Sequence, residues 1–390
     1  MPEFQETATD DSDVTLDITG VVAGGDGIGR QESGRVVFVT GAMPSERVTI
    51  RITDERRDFA RGEVDRILTP SPDRVVPPCA FRIAGCGGCE WQHIAPHAQP
   101  GFKRDLVVDA LRRIARIDEP NVADCVALAP QGYRTTVRVA IDSEGRPAFR
   151  KSLSHDLVTV DDCLVAHPTL AAMLCDARWP GAKEAVLRVG ARTGEVLVDV
   201  KPLPDGFATP TFFHEEAAGR MWQISAGSFF QIRPDGADEL ARLVVDALAA
   251  HQVATVVDLY SGVGLFAGAL HERGFDVRAA VEGGRFAAAD ARVNLEGVCD
   301  VIECDVAKWR GIPVDAVVAD PSRRGLMTEG VATIERCAPR TVVLVSCDVA
   351  ALGRDAKLLV AAGFALDHST PLDLFPHTPH VEVVSTFVRL

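Results

Sequence analysis

From residue 236 to the C-terminus the chain alternates strand-length apolar runs with segments whose apolar residues recur at helical spacing. This pattern constrains the fold most, because strands separated by helices lie parallel, with the helices covering the faces of a doubly wound sheet. A helical stretch over 237–250 leads into an apolar strand from Thr255 to Leu259, which runs into Tyr260-Ser-Gly-Val-Gly264. Gly262 and Gly264 on a strand-to-helix turn leave bare backbone beside any ligand the turn holds. Ala267 completes a G-x-G-x-x-A pattern, which a dinucleotide oxidoreductase also satisfies.

Acidic residues at the strand ends separate the two cofactors. Asp258 stands four residues before the first glycine, where a carboxylate repels a diphosphate but suits a cationic amino-acid group. Glu282 ends the second strand, in position to accept from ribose hydroxyls, and Asp305 in Ile302-Glu-Cys-Asp305 ends the third. Three carboxylates around one ligand favour a sulfonium, S-adenosylmethionine, over a dinucleotide.

The fourth strand, Asp315-Ala-Val-Val-Ala-Asp320, aims Asp320 at the same crevice, unless that carboxylate merely caps the following turn. The fifth, Thr341-Val-Val-Leu-Val345, ends in Ser346-Cys347-Asp348 and puts a thiol on the same rim. Free cysteines are commonly small buried apolar residues. One specific chemistry open to a thiolate here is addition to C6 of a uracil, which makes C5 nucleophilic enough to take a methyl group, after which a base must remove the C5 proton. Glu382, in His377-Thr-Pro-His-Val-Glu382, is the candidate base, an ordinary surface glutamate being the alternative.

Upstream, residues 12–69 read as short strands around a glycine-rich stretch from Gly20 to Gly29, the pattern of an OB-like barrel. Pro70, Pro72, Pro77 and Pro78 mark a linker. Residues 70–235 form a β-rich central region containing an amphipathic helix near 100–118, expected to pack on the catalytic domain at 236–390. Cys79-x6-Cys86-x2-Cys89, with Cys163 far downstream, has small glycines between its close cysteines and can wrap a metal centre. The spacing is not that of a zinc ribbon, although zinc on four thiolates remains the alternative.

These residues resemble the RNA uracil-5-methyltransferases, over essentially the whole chain after its tail. Gly24-Gly-Asp-Gly-Ile-Gly29 and Val37-Phe-Val-Thr-Gly-Ala42 look like pieces of a TRAM domain, an RNA-binding module. Phe230-Gln231, Asp258-Leu-Tyr-Ser-Gly-Val-Gly264, Glu282, Asp320-Pro321, Ser346-Cys347-Asp348 and His380-Val-Glu382 follow in the family's order. The resemblance implies S-adenosylmethionine held by Gln231, Tyr260, Gly262, Gly264, Glu282, Asp305 and Asp320. It implies Cys347 as nucleophile, Glu382 as proton acceptor, and a [4Fe–4S] cluster on Cys79, Cys86, Cys89 and Cys163. Val349 stands where the family usually has proline after Ser-Cys-Asp, so the loop carrying Cys347 loses a fixed φ.

An RNA substrate meets an objection in the net charge of −14. Part of the excess is local, since Glu3, Glu6, Asp10, Asp11, Asp13 and Asp17 crowd a tail, read as disordered over 1–11. Between 96 and 151, ten Lys and Arg, Lys103 and Arg138 among them, face seven acids, and the barrel adds Arg51, Arg56, Arg57, Arg61 and Arg66. Phosphates are expected there. A catalytically weakened RNA-binding or assembly factor of the same fold is the competing reading. The chain lacks a long apolar run and a basic-then-apolar leader, so a cytoplasmic protein, without membrane contact and monomeric like its family, is expected. Analogy favours 23S ribosomal RNA over transfer RNA.

Overall fold

The structure is a computed structural model that describes residues 14–152, 154–203 and 209–390. The tail expected over 1–11 lies outside the described residues. The chain divides into two compact units: residues through Val76 with His93–Ala95, and Pro77–Gln92 with Pro96–Leu390.

The first unit is built on a closed barrel of β1 (Val14–Val21), β2 (Gly27–Arg30), β3 (Val36–Thr40), β4 (Arg47–Glu55) and β5 (Phe59–Thr69), in the order β1-β2-β3-β5-β4. Alternation along the strands turns Leu16, Ile18, Val37, Val39, Val48 and Ile50 inward. The sequence shows a glycine-rich loop where β2 forms. At Gly27 a Cβ would stand 3.0 Å from both the Ala42 carbonyl and Ile18 Cγ2, so the missing side chain lets the strands close up.

In the second unit an antiparallel sheet of β6 (Thr136–Ile141), β7 (Pro147–Arg150), β8 (Leu157–Thr159), β9 (Glu184–Val189) and β10 (Val196–Lys201) takes the order β10-β9-β6-β7-β8. Its apolar face closes on helix Pro168–Asp176 through Leu170 and Leu174. The hairpin β11 (Phe212–Ala217) and β12 (Arg220–Ser225) follows. Phe213, Trp222 and Ile224 of that hairpin join Leu240, Val244 and Leu248 of helix Pro234–Ala250 in one core, so the apolar cluster runs across residue 235.

The large sheet holds β13 (Thr255–Leu259), β14 (Asp276–Glu282), β15 (Asp300–Glu303), β16 (Ala316–Ala319), β17 (Thr341–Ser346), β18 (Phe364–Leu372) and β19 (Glu382–Arg389), in the order β15-β14-β13-β16-β17-β19-β18. Its first five strands are parallel, as the alternation predicts, and β19 runs antiparallel to both β17 and β18. Only residues 373–381 join β18 to β19, too few for a parallel crossover. The basic helix spans Gln99–Arg113 and lies against helix Val349–Ala361, where a Cβ on Gly353 would stand 2.8 Å from Ile114 Cβ. No helix among the described residues is long and apolar enough to cross a membrane.

Candidate active site

The glycine turn follows β13 and depends on left-handed backbone at Tyr260, Gly262 and Gly264, with φ of 60°, 56° and 102°. Gly264 caps helix Leu265–Glu272, and a Cβ there would strike Leu295 at 2.8 Å. At Gly262 a Cβ would meet nothing within 4 Å, so the backbone faces open space. Asp258 is fully buried beneath the turn, with Oδ2 accepting from the Ala267 amide at 3.0 Å. Burial pushes its carboxyl well above the usual range. Glu282 ends β14, and its two oxygens accept from the Gly262 and Gly284 amides. Asp305 is exposed and caps the turn Val306–Lys308 through the Ala307 amide.

At the ends of β13 and β17, buried polar atoms stand without a partner among the described residues. Asp258 Oδ1 and Ser261 Oγ lie at the end of β13, and Ser346 Oγ at the end of β17. Such groups are costly unless something polar meets them. With open backbone at Gly262, they suit a polar, cationic ligand such as S-adenosylmethionine. Gln231 is buried just before helix Pro234–Ala250. Tyr260 is half-buried, its hydroxyl 2.8 Å from where a Gly330 Cβ would stand, and burial lifts its phenol to about 12.

Asp320 follows β16, and its amide donates to the Leu259 carbonyl at 3.3 Å, which ties it to the glycine turn's strand. Its side chain is half-buried, and desolvation raises the carboxyl to about 7. Cys347 follows β17 directly. The antiparallel register of β17 with β19 ends at Ser346 opposite Val383, and one further step of that register sets Cys347 against Glu382, the first residue of β19. Glu382 is buried, and desolvation followed by the Asp320 charge raises its carboxyl well above normal, while Arg323 opposes. Burial, then Glu382 and Asp320, lift the thiol to about 12 against Arg323. Asp348 caps helix Val349–Ala361, accepting from the Ala351 amide at 2.7 Å. That cap constrains the loop where Val349 replaces proline, and Val349 is the first residue of the helix.

Cys79, Cys86, Cys89 and Cys163 line one cavity of about 190 Å³ with Arg134. Burial raises the thiol of Cys89 to about 12, with Arg134 working the other way. The buried Nε of Arg134 has no partner among the described residues. Gly87 lies so close to the extension of β7 that a Cβ would stand 3.0 Å from Ser152 Cα. Among the described residues no three His, Cys, Asp or Glu side chains converge closely enough to hold a single metal ion. Four thiols spread around a cavity, beside a guanidinium, suit a larger anionic group.

Several residues escape the sequence reading. Lys103, expected among the phosphate-binding cations, is fully buried and ion-paired to Asp373, and it also donates to the Phe375 carbonyl at 3.0 Å. Arg51, Arg56 and Arg61 are paired with Glu63, Asp54 and Asp26. Asp290 accepts from Ser225 (amide 2.8 Å, hydroxyl 2.7 Å) and from the Ser228 hydroxyl, steadying the approach to Gln231. Its helical spacing in the sequence carries no hint of this role. Arg323 is visible in Asp320-Pro-Ser-Arg323, but only the fold brings its charge to bear on Cys347.

A Rossmann-like sheet with a glycine turn, acids at its strand ends and a thiol on the same rim fits the methyltransferase class. Residues 12–64 match the TRAM domain family. The chain is 32% identical to an uncharacterized RNA methyltransferase of Streptomyces coelicolor, over 95% of this chain and 91% of that one. It is also 32% identical to the 23S rRNA (uracil(1939)-C(5))-methyltransferase RlmD of Pectobacterium atrosepticum, covering 96% and 94%. Among solved structures, Pyrococcus abyssi tRNA (uracil-54, C5)-methyltransferase in complex with S-adenosyl-L-homocysteine is similar with a TM-score of 0.75 and 25% identity, over 96% of this chain and 99% of that one. The chain belongs to the RNA uracil-5-methyltransferases, and it is an S-adenosylmethionine-dependent enzyme of that family.

Proposed function

We propose that the enzyme methylates C5 of a specific uridine in RNA, with 23S ribosomal RNA favoured over transfer RNA, through a covalent adduct between Cys347 and C6. The observation that carries this reading is the placement of Cys347 against Glu382 one step past Ser346 and Val383, beside Asp320. Gln231, Tyr260, Gly262, Gly264, Glu282, Asp305 and Asp320 are the residues we assign to S-adenosylmethionine, which supplies a methyl group on a sulfonium.

In the proposed sequence Cys347 gives its proton to solvent, its Sγ forms a bond to C6, and the π pair of the C5–C6 double bond moves to C5. C5 takes the methyl group as the methyl–sulfonium bond breaks and leaves a neutral thioether; Glu382 then takes the C5 proton, the C–H pair restores the C5–C6 double bond, and the C6–Sγ pair leaves on sulfur. With its pKa raised to about 12, the thiol is protonated before substrate arrives, so cation binding beside it favours the reactive form. The raised carboxyl of Glu382 makes it a stronger base than an exposed glutamate.

A [4Fe–4S] cluster on Cys79, Cys86, Cys89 and Cys163 is part of the reading, supported by the shared cavity and by Arg134. Methyl transfer from a sulfonium needs no electrons, so its role is structural. Incubation with 5-fluorouridine-substituted RNA and cofactor tests the mechanism. A denaturation-resistant protein–RNA adduct is expected, and its persistence in Cys347→Ala overturns the assignment.

A further inference from the structure

We propose that a basic trough on the outer face of the five-stranded sheet holds the sugar-phosphate backbone of the substrate RNA, beside the segment that leads to Gln231. The inference rests on the proposed function and adds the surface that takes the substrate.

Strand alternation builds the trough. On β6, Val137, Val139 and Ile141 face the core, which turns Arg138 and Ala140 to the other side. On β7 the outward positions are Ala148 and Arg150. Ala140 and Ala148 are register partners, and these small side chains keep the sheet low between longer ones, Ala148 itself being fully covered. Arg138 and Arg150, with Lys183 and Lys201, rim a concavity of about 560 Å³. Among the described residues, two carboxylates pair with these four cations: Glu184 lies 3.7 Å from Arg138, and Asp199 3.3 Å from Lys201. The side chains of Arg138 and Lys201 remain 69% and 59% exposed, free to exchange those acids for phosphate. A local excess of positive charge on a chain of net charge −14 marks where a polyanion is tolerated.

The same strand face connects the trough to the cofactor segment. Four residues beyond Glu184 on β9, and on the same side, Arg188 donates to the carbonyls of Ser225 at 3.2 Å and Ser228 at 2.7 Å. Ser228 is three residues from Gln231. The strand distance is about 13 Å, which is about four nucleotides of stacked strand. Phosphates in the trough fix the register of the RNA without reading its sequence.

The test measures binding of a fluorescein-labelled poly(uridylate) oligonucleotide by anisotropy over a range of salt concentrations. For Arg150→Gln/Lys201→Gln the slope of log affinity against log salt is expected to flatten by about 1.4, about 0.7 for each single-strand phosphate that no longer meets a cation. Lys183→Gln alone should flatten it by about half as much, and Arg242→Gln, on helix Pro234–Ala250, should leave it unchanged. Calorimetric binding of S-adenosylhomocysteine to each variant should match the parent, which shows that the fold is intact. An unchanged slope in both trough variants, with cofactor binding intact, overturns the trough. A parent protein that binds no poly(uridylate) and forms no adduct with 5-fluorouridine RNA overturns the underlying function instead.

Discussion

Cys347 and Glu382 occupy the positions that follow the last antiparallel pair, Ser346 with Val383, across the junction of β17 and β19. A thiol and a carboxyl from segments 35 residues apart are thereby set at one strand end, with Asp320 and Arg323 close enough to shift both. The two halves of the proposed chemistry, attack at C6 and proton removal at C5, are separable on this geometry. Glu382→Gln should still form the adduct with uridine RNA but release it about 10²- to 10⁴-fold more slowly. Mass spectrometry of the denatured protein should find Cys347 bearing a methylated uridine, and rapid turnover by this variant would show that another group takes the proton.

Asp320 and Glu382 are two acids desolvated together, so their titration belongs to the pair. A carboxyl lifted from 3.8 in the unfolded chain to about 7 in the fold weakens stability progressively as pH rises between those values, and the penalty is constant above them. Asp320→Asn should therefore have little effect on Tm at pH 4 and should raise it at pH 8, while cofactor binding is lost. Scanning calorimetry at the two pH values checks the sign.

Lys103 reaches from helix Gln99–Arg113 to Asp373 and the Phe375 carbonyl, on the connection that leads to Glu382. Lys103→Met leaves the Asp373 carboxylate buried and unpaired, which costs about 3–5 kcal/mol. Lys103→Met/Asp373→Leu should recover much of that stability in urea unfolding. It should not fully recover kcat if the ion pair also positions Glu382.

Asp290 gathers the amide and hydroxyl of Ser225 with the hydroxyl of Ser228. Asp290→Ala should destabilise the protein by roughly 2–3 kcal/mol, since it strands donors that now meet a charged acceptor. KM for S-adenosylmethionine should rise more than kcat falls. Paired unfolding and steady-state measurements separate the two effects.

Cys86→Ser tests the cluster by composition as well as colour. The purified parent should carry iron and acid-labile sulfide with broad visible absorption, and the variant should lose both. Stoichiometric zinc without sulfide in the parent would assign the four cysteines to a single ion.

The strand and helix alternation, the glycine turn and the strand-terminal positions of Glu282, Asp320 and Cys347 are local patterns, and each is legible along a few residues. The sequence by itself determined the barrel's strand-rich character, the parallel part of the sheet and the identity of the residues on its rim. Two alanines facing each other across β6 and β7, the burial of Lys103, and the shared cavity of Cys163 and three cysteines far upstream are products of register and packing. Those are set between segments distant in the chain, and no spacing within one segment encodes them. The tertiary structure decided that β19 enters antiparallel between β17 and β18, because the link from β18 is too short to cross over. That single placement puts Glu382 opposite Cys347, and low dielectric between neighbouring acids then sets how each of them holds its proton.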